Sequence, residues 1–308
     1  MKVLVTGATG FVGRWLVQEL EAAGHEAVGT PGSAVLDIAD PEAVNAFVGR
    51  IHPEAVVHLA GMSYGPDARH DPDRAITVNA AGTRTVMQAV GDAVGPVPVL
   101  VVGSSEVYGN PDPADLPLRE SAPLLTDQPY GLSKLAQERA AFETAELLGI
   151  PVVVARAFNH TGPGQRREFV IPAIAARIVA ARDSGARTIR AGDVDVRRDI
   201  GDVRDVVRAY RLLIEAMAGS RLRADHVVYN VASGRTVAIR EVIDRLAALA
   251  GIDVTVEVDS SLVRANDPPE IRGDASRLAE AVGWNPVIAL EVTLRDVLAD
   301  AVSRARTA

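Results

Sequence analysis

Short apolar runs alternating with amphipathic stretches constrain this chain more than any other feature of it. Residues 2–6, 26–29, 55–59, 97–102 and 151–155 read as buried strands, and 10–23, 41–50, 73–94 and 129–148 as the helices between them. Strands that alternate with helices in this way pair in parallel through right-handed crossovers. The expected fold is therefore α/β, a doubly wound parallel sheet with helices on both faces. After about residue 165 the rhythm loosens: helices at 171–183, 203–218, 237–250, 275–282 and 290–304 are separated by short strands at 188–190, 227–231 and 254–258. This predicts a principal domain over 1–168 with returns from about 203–232, and a smaller carboxyl-terminal lobe built from 169–202 and 233–308.

With 308 residues, 48% of them hydrophobic, the chain can bury an ordinary core. Its net charge of −8 argues against a nucleic-acid partner, which would call for a basic face. A small phosphorylated ligand needs only a few placed arginines. The absence of cysteine excludes disulfides, thiolate metal sites and cysteine nucleophiles. His58 and His160 have no partner histidine at helical spacing, so no metal site is expected. The first strand starts at residue 2, which leaves no room for a secretory signal, and no apolar run approaches the roughly 18 residues of a membrane span. The expectation is a cytoplasmic protein without a membrane partner. Of 32 basic residues only Lys2 and Lys134 are lysine, and one kept in mid-chain against that drift marks Lys134 for chemistry.

The first strand runs into Thr6-Gly7-Ala8-Thr9-Gly10-Phe11-Val12-Gly13 and then a helix. Glycines permit the tight turn and let backbone approach a pyrophosphate, which the free N–H groups and dipole of a helix N-terminus favour. The spacing is Gly-x-x-Gly-x-x-Gly rather than Gly-x-Gly-x-x-Gly, and the strand and helix on either side make it a dinucleotide site. Gly7, Thr9, Gly10, Phe11 and Val12 are its expected cofactor contacts. The second strand ends in Thr30-Pro31-Gly32-Ser33, with no carboxylate to bind the adenosine ribose. NADP is thereby slightly favoured over NAD. Asp37 and Ile38 are candidates to flank the adenine, with helix capping as an equal reading of the aspartate.

Tyr130 and Lys134 open a helix at i, i+4 spacing, so both side chains share one face. A nearby ammonium favours phenolate and is expected to lower the tyrosine pKa from about 10, making Tyr130 a usable proton donor or acceptor. Upstream, a strand ends in Ser104-Ser105-Glu106-Val107-Tyr108-Gly109.

Together with the glycine loop, these motifs resemble the extended short-chain dehydrogenase/reductase family over nearly the whole chain. The resemblance implies a Rossmann-type sheet, with Ser104 hydrogen-bonded to the reacting oxygen, Tyr130 as proton donor, and Lys134 holding the nicotinamide ribose. Leu59, Ala60 and Gly61 would pass the cofactor ribose, and Ala157 and Phe158 the nicotinamide edge. Asn79 matches a helix residue common in the family. The resemblance also implies a homodimer through helices 73–94 and 129–148, and substrate bound by the smaller lobe.

Residues 156–165 resemble the matching segment of reductases that act on GDP-linked 4-keto-6-deoxysugars. That likeness implies NAD(P)H-dependent reduction of a C4 ketone, GDP-4-keto-6-deoxymannose giving GDP-rhamnose. Substrate contacts would come from Ser105, Asn159, Val170 and Arg198, from Arg264 on the diphosphate, and from Asp267 on a nucleoside ribose. An arginine fork grips phosphate bidentately, and a carboxylate suits paired hydroxyls. Glu106 stands where 4,6-dehydratases of the family carry an acid/base glutamate. A dehydratase or C4 epimerase with tightly held NAD is therefore the alternative, and a non-catalytic NAD(P)-sensing regulator a more distant one.

Overall fold

The computed structural model describes residues 1–222, 227–263 and 267–307. Its first half comprises β1 (Lys2–Thr6), α1 (Phe11–Ala22), β2 (Glu26–Gly29), α2 (Pro41–Ile51), β3 (Ala55–His58), α3 (Gly65–His70), α4 (Pro72–Ile76), α5 (Gly82–Ala93), β4 (Val99–Ser104), α6 (Pro129–Leu148) and β5 (Val152–Ala157). The second half adds β6 (Asn159–Thr161), α7 (Val170–Ser184), β7 (Thr188–Ala191), β8 (Arg197–Asp202), α8 (Val203–Ala218), β9 (Val227–Val231), β10 (Thr236–Ala238), α9 (Ile239–Ala250), β11 (Thr255–Val258), β12 (Glu270–Ile271), α10 (Ser276–Val282) and α11 (Leu290–Thr307).

Six parallel strands form the central sheet in the order β2-β1-β3-β4-β5-β9. Side chains alternate across it with the two-residue period of a strand. Val3 and Val5 face α1 and α8, while Leu4 faces the other way, into the core shared with α2, α5 and α6. The chain leaves β1 towards β2 and then returns to place β3 on β1's other edge. This reversal opens a crevice beyond the carboxyl ends of β1 and β3, where open α/β sheets bind ligands.

A separate core is built from α7, α9 and α11 beneath β7 and β8. Strand β8 takes β10 antiparallel on one edge and β6 and β12 parallel on the other. Strands β6, β8, β10 and β12 are not expected from the sequence, and two further segments differ. The helix expected over 73–94 is broken by a π-helical turn at Thr77–Ala81. Leu278 of α10 and Trp284 pack in the first core rather than the second, although they fall in the stretch assigned to the smaller lobe.

Candidate active site

Gly7 ends β1 with φ +71°, a left-handed conformation that costs glycine nothing. A Cβ on Gly13 would lie 2.2 Å from the Gly7 carbonyl oxygen, so only glycine lets α1 start this close to the loop. Gly10, the residue before α1, offers no side chain to cap it, and the helix's first N–H groups face the turn. These features fit a pyrophosphate. The Gly7 N–H donates to Thr30 Oγ1 at 3.0 Å, so the threonine at the end of β2 braces the loop from within. Arg14, which the sequence reading left unassigned, donates to Thr9 O and Gly164 O and ties the loop to the second half of the chain.

Asp37 and Ile38 follow the turn after β2, between that strand and α2. The Asp37 carboxylate accepts from the Ala39 N–H, Asp40 caps α2, and Ile38 is buried against Gly82 of α5. Leu59 and Ala60 follow β3 directly, and the backbone of Ala60 lies against Gly7. A Cβ on exposed Gly61 would come within 2.6 Å of Asn79 Oδ1. The π-helical turn sets Asn79 so that its amide accepts from Met62 N–H and donates to Ser133 Oγ at 2.8 Å. Ser133 in turn donates to Tyr130 O. Asn79 thus joins the loop after β3 to the first turn of α6.

Ser104 ends β4 close to the Tyr130 hydroxyl, and its Oγ accepts from the Glu106 N–H at 3.2 Å. Burial pushes Tyr130 up to about 12; the Ser104 side chain draws it down, and the nearby Glu106 charge raises it. This corrects the expectation of a pKa lowered by Lys134. The ammonium is turned away, donating to Val102 O at 2.7 Å and to Gln137 Oε1. Burial pushes Lys134 itself down to about 8 against the opposing pull of Glu138. The pair therefore presents a fully protonated phenol beside a buried ammonium. Ser105 is buried in the 3-10 turn Ser105–Tyr108, whereas Glu106 is exposed.

Phe158 buries its ring against Gly273, so only its backbone can line the cleft. Asn159 and Val170 are exposed, at the start of β6 and of α7. Phe11 stacks on His160 with ring centroids 6.3 Å apart. Burial lowers the pKa of His160, and that of His58 to about 3, so both are neutral. Among the described residues no His, Cys, Asp and Glu cluster could hold a metal ion. Arg198 and Asp267, read separately as a substrate contact and a ribose contact, meet at 2.7 Å, and the arginine also donates to Pro268 O. Arg264 lies outside the described residues.

Missed by the sequence reading is the buried brace around the site. Arg156 pairs with Glu138 of α6 at 2.8 Å and donates to the Tyr108 hydroxyl, which donates to Asn230. A glutamate one turn beyond Lys134 was the available signal.

The model of the NAD dependent epimerase/dehydratase family matches residues 3–232. GDP-6-deoxy-D-mannose reductase of Pseudomonas aeruginosa is 38% identical, over 99% of this chain and 98% of its own length. GDP-6-deoxy-D-talose 4-dehydrogenase of Aggregatibacter actinomycetemcomitans is 28% identical, over 92% of each. The solved structure of RMD from Pseudomonas aeruginosa complexed with NADPH superposes with a TM-score of 0.88 at 36% identity, covering 98% of this chain and 99% of that one.

Proposed function

The chain belongs to the NAD dependent epimerase/dehydratase family, and we propose that it is the member that reduces the C4 ketone of a nucleotide-linked 4-keto-6-deoxysugar. The substrate we assign is GDP-4-keto-6-deoxymannose, and the product GDP-rhamnose. One observation carries this reading: Ser104, Tyr130 and Lys134 gather where β4 ends and α6 begins, in a chain 38% identical over 99% of its length to a GDP-6-deoxy-D-mannose reductase. A reduction turns the ketone oxygen into an alkoxide that must receive a proton, and a phenol with a raised pKa arrives loaded to give it.

When bound, the nicotinamide supplies the hydride to C4. The residues of the chain do the rest. Ser104 and Tyr130 converge on one point, where they polarise the carbonyl oxygen, and Tyr130 passes its phenolic proton to that oxygen as charge develops. Lys134, at i+4 on the same helix face, is within reach of the ribose and of the phenolate left behind. The glycine loop fixes the pyrophosphate, while Asn159, Val170, Arg198, Asp267 and Arg264 are assigned to the sugar nucleotide, so that remote contacts orient C4.

NADPH is the cofactor we favour. Thr30 occupies the place of a ribose-binding carboxylate and is spent on the glycine loop, and the RMD relative was solved with NADPH. We further assign a cytoplasmic homodimer. Ile76 and Leu132 are exposed on α4 and α6, where they line one groove with Leu135 and Ala136, and apolar faces of this kind mark protein interfaces. No helix among the described residues is long and apolar enough to cross a membrane.

Glu106 supports one other reading, a 4,6-dehydratase, because its charge reaches Tyr130. Purified protein separates the two. The reductase consumes NADPH when the 4-ketosugar is supplied and leaves GDP-mannose untouched. Conversion of GDP-mannose to the 4-ketosugar without net NADPH change would overturn the assignment.

A further inference from the structure

The catalytic ammonium sits at one end of a buried chain of hydrogen bonds whose every proton can be placed. Thr83 has a single hydroxyl hydrogen and gives it to Asn79 O at 2.7 Å. Thr83 Oγ1 must therefore accept from its other two partners, His58 Nε2 at 2.9 Å and Gln137 Nε2 at 3.0 Å. His58 then carries its proton on Nε2, and Nδ1 accepts from Thr6 Oγ1 at 2.7 Å. Thr6, the last residue of β1, accepts in turn from Ala60 N–H. Since the Gln137 amide spends its NH2 on Thr83, its carbonyl oxygen can only face Lys134, to which it is hydrogen-bonded. Thr6, His58, Thr83, Gln137 and Lys134 are all buried.

We propose that Gln137 is the positioning residue of the catalytic lysine, locked by Thr83 and His58 so that its carbonyl and that of Val102 hold two of the three ammonium protons and aim the third into the cleft. This rests on the reading of Tyr130 and Lys134 as the acting pair. An ammonium on a four-carbon stem is otherwise free to rotate and to wander, and an amide fixed at its far end removes that freedom. The link also runs to the root of the glycine loop, because Thr6 precedes Gly7, so the lysine and the pyrophosphate cradle share one rigid frame.

The remaining groups around Lys134 do not supply this aim. On its own helix stand Tyr130 and Glu138, and Glu138 is already paired with Arg156 from β5. From β3 comes only His58, neutral because burial lowers its pKa, and from β4 the Val102 carbonyl. Among the described residues, Gln137 is the side chain hydrogen-bonded to the ammonium, and it is itself held from behind by Thr83.

Full-length Gln137→Met and Gln137→Glu, compared with wild type, test this. NADPH and, in parallel, NADH are titrated by fluorescence between pH 7 and pH 10.5, and the melting temperature is followed beside them. Loss of a hydrogen bond to a charged group is expected to weaken cofactor binding by Gln137→Met on the order of tenfold near neutral pH. Because the ammonium loses its proton as pH rises, affinity falls on an alkaline limb. That limb moves to lower pH in Gln137→Met, which removes an acceptor. It moves to higher pH in Gln137→Glu, which adds a charge. Opposite movements support the proposal. Limbs that coincide with wild type, or that move together, overturn it, even if both variants melt earlier, because that pattern is a packing effect. If the substrate assignment fails instead, wild type will not oxidise NADPH with the 4-ketosugar, yet the two limbs will still part.

Discussion

Replacing Lys134 with methionine should abolish turnover and yet leave the fold about as stable as before. Burial drives the ammonium from its ordinary 10.5 down to about 8. At about 1.4 kcal/mol per pKa unit, holding it charged costs the folded state roughly 3 kcal/mol at neutral pH. Methionine matches the length of the stem and carries no charge. Against that gain, the Gln137 and Val102 carbonyls both lose their donor, at about 1–3 kcal/mol for each group left unsatisfied. At the lower end of that range the terms nearly offset, so the melting temperature at pH 7 should stay within roughly 2–4 °C of wild type. The pH dependence fixes the sign. A lysine whose folded pKa is depressed exacts its full cost below about 8, and that cost vanishes as pH rises towards 10.5. Lys134→Met should therefore stand highest relative to wild type at pH 7 and lose ground through pH 8–10. Scanning calorimetry without nucleotide across that range measures it. A variant that melts many degrees below wild type at pH 7, or one that gains on wild type as pH rises, would refute the view that burial of this charge is a stability cost retained for function.

Three further outcomes follow from the geometry. Tyr130→Phe should bind NADPH as wild type does and lose about 10²–10⁴ in kcat, since only the proton donor is gone; turnover within a few-fold of wild type removes Tyr130 from the mechanism. Gly13→Ala forces a Cβ to within 2.2 Å of Gly7 O, so NADPH affinity should fall well beyond tenfold, and unchanged titration curves would mean the loop is not the pyrophosphate site. Glu106→Gln should retain at least about a tenth of wild-type reduction, a loss of no more than about 1.4 kcal/mol, whereas near-complete loss in a steady-state assay would move the acid/base role to Glu106.

How much of this was legible in the sequence depends on whether the signal was local. β1, α6, α8 and β9 are found where the apolar pattern puts them, because each buries a run of contiguous or periodic side chains and nothing distant is needed to justify it. The glycine loop was legible for a related reason: Gly13 answers to backbone approach within eight residues of chain, and Gly7 to its own left-handed turn. Strand β8 was not. Its sequence, Arg-Arg-Asp-Ile-Gly-Asp, has one large apolar residue, and four charges in a strand look like a loop until their partners are known. Those partners are remote. Arg198 meets Asp267, Asp199 accepts from the N–H groups of Ser233 and Gly273, and Asp202 accepts from Thr293. The π-helical turn at Thr77–Ala81 escaped in the same way, since one extra residue per turn leaves the apolar period of 73–94 almost unchanged.

The same distinction separates the identity of the catalytic residues from their state. Tyr130 and Lys134 could be picked out as a pair from a spacing of four, and that spacing suggested an ammonium lowering the pKa of a phenol. The fold turns the ammonium aside, because Val102 lies 32 residues back and Gln137 is locked by Thr83, 54 residues away. The phenol is left to burial, which keeps it protonated against the opposing pull of Ser104. The state of the pair is therefore set by contacts that span the sheet rather than by the motif, and chains sharing Tyr-x-x-x-Lys can hold that lysine differently wherever its partners differ.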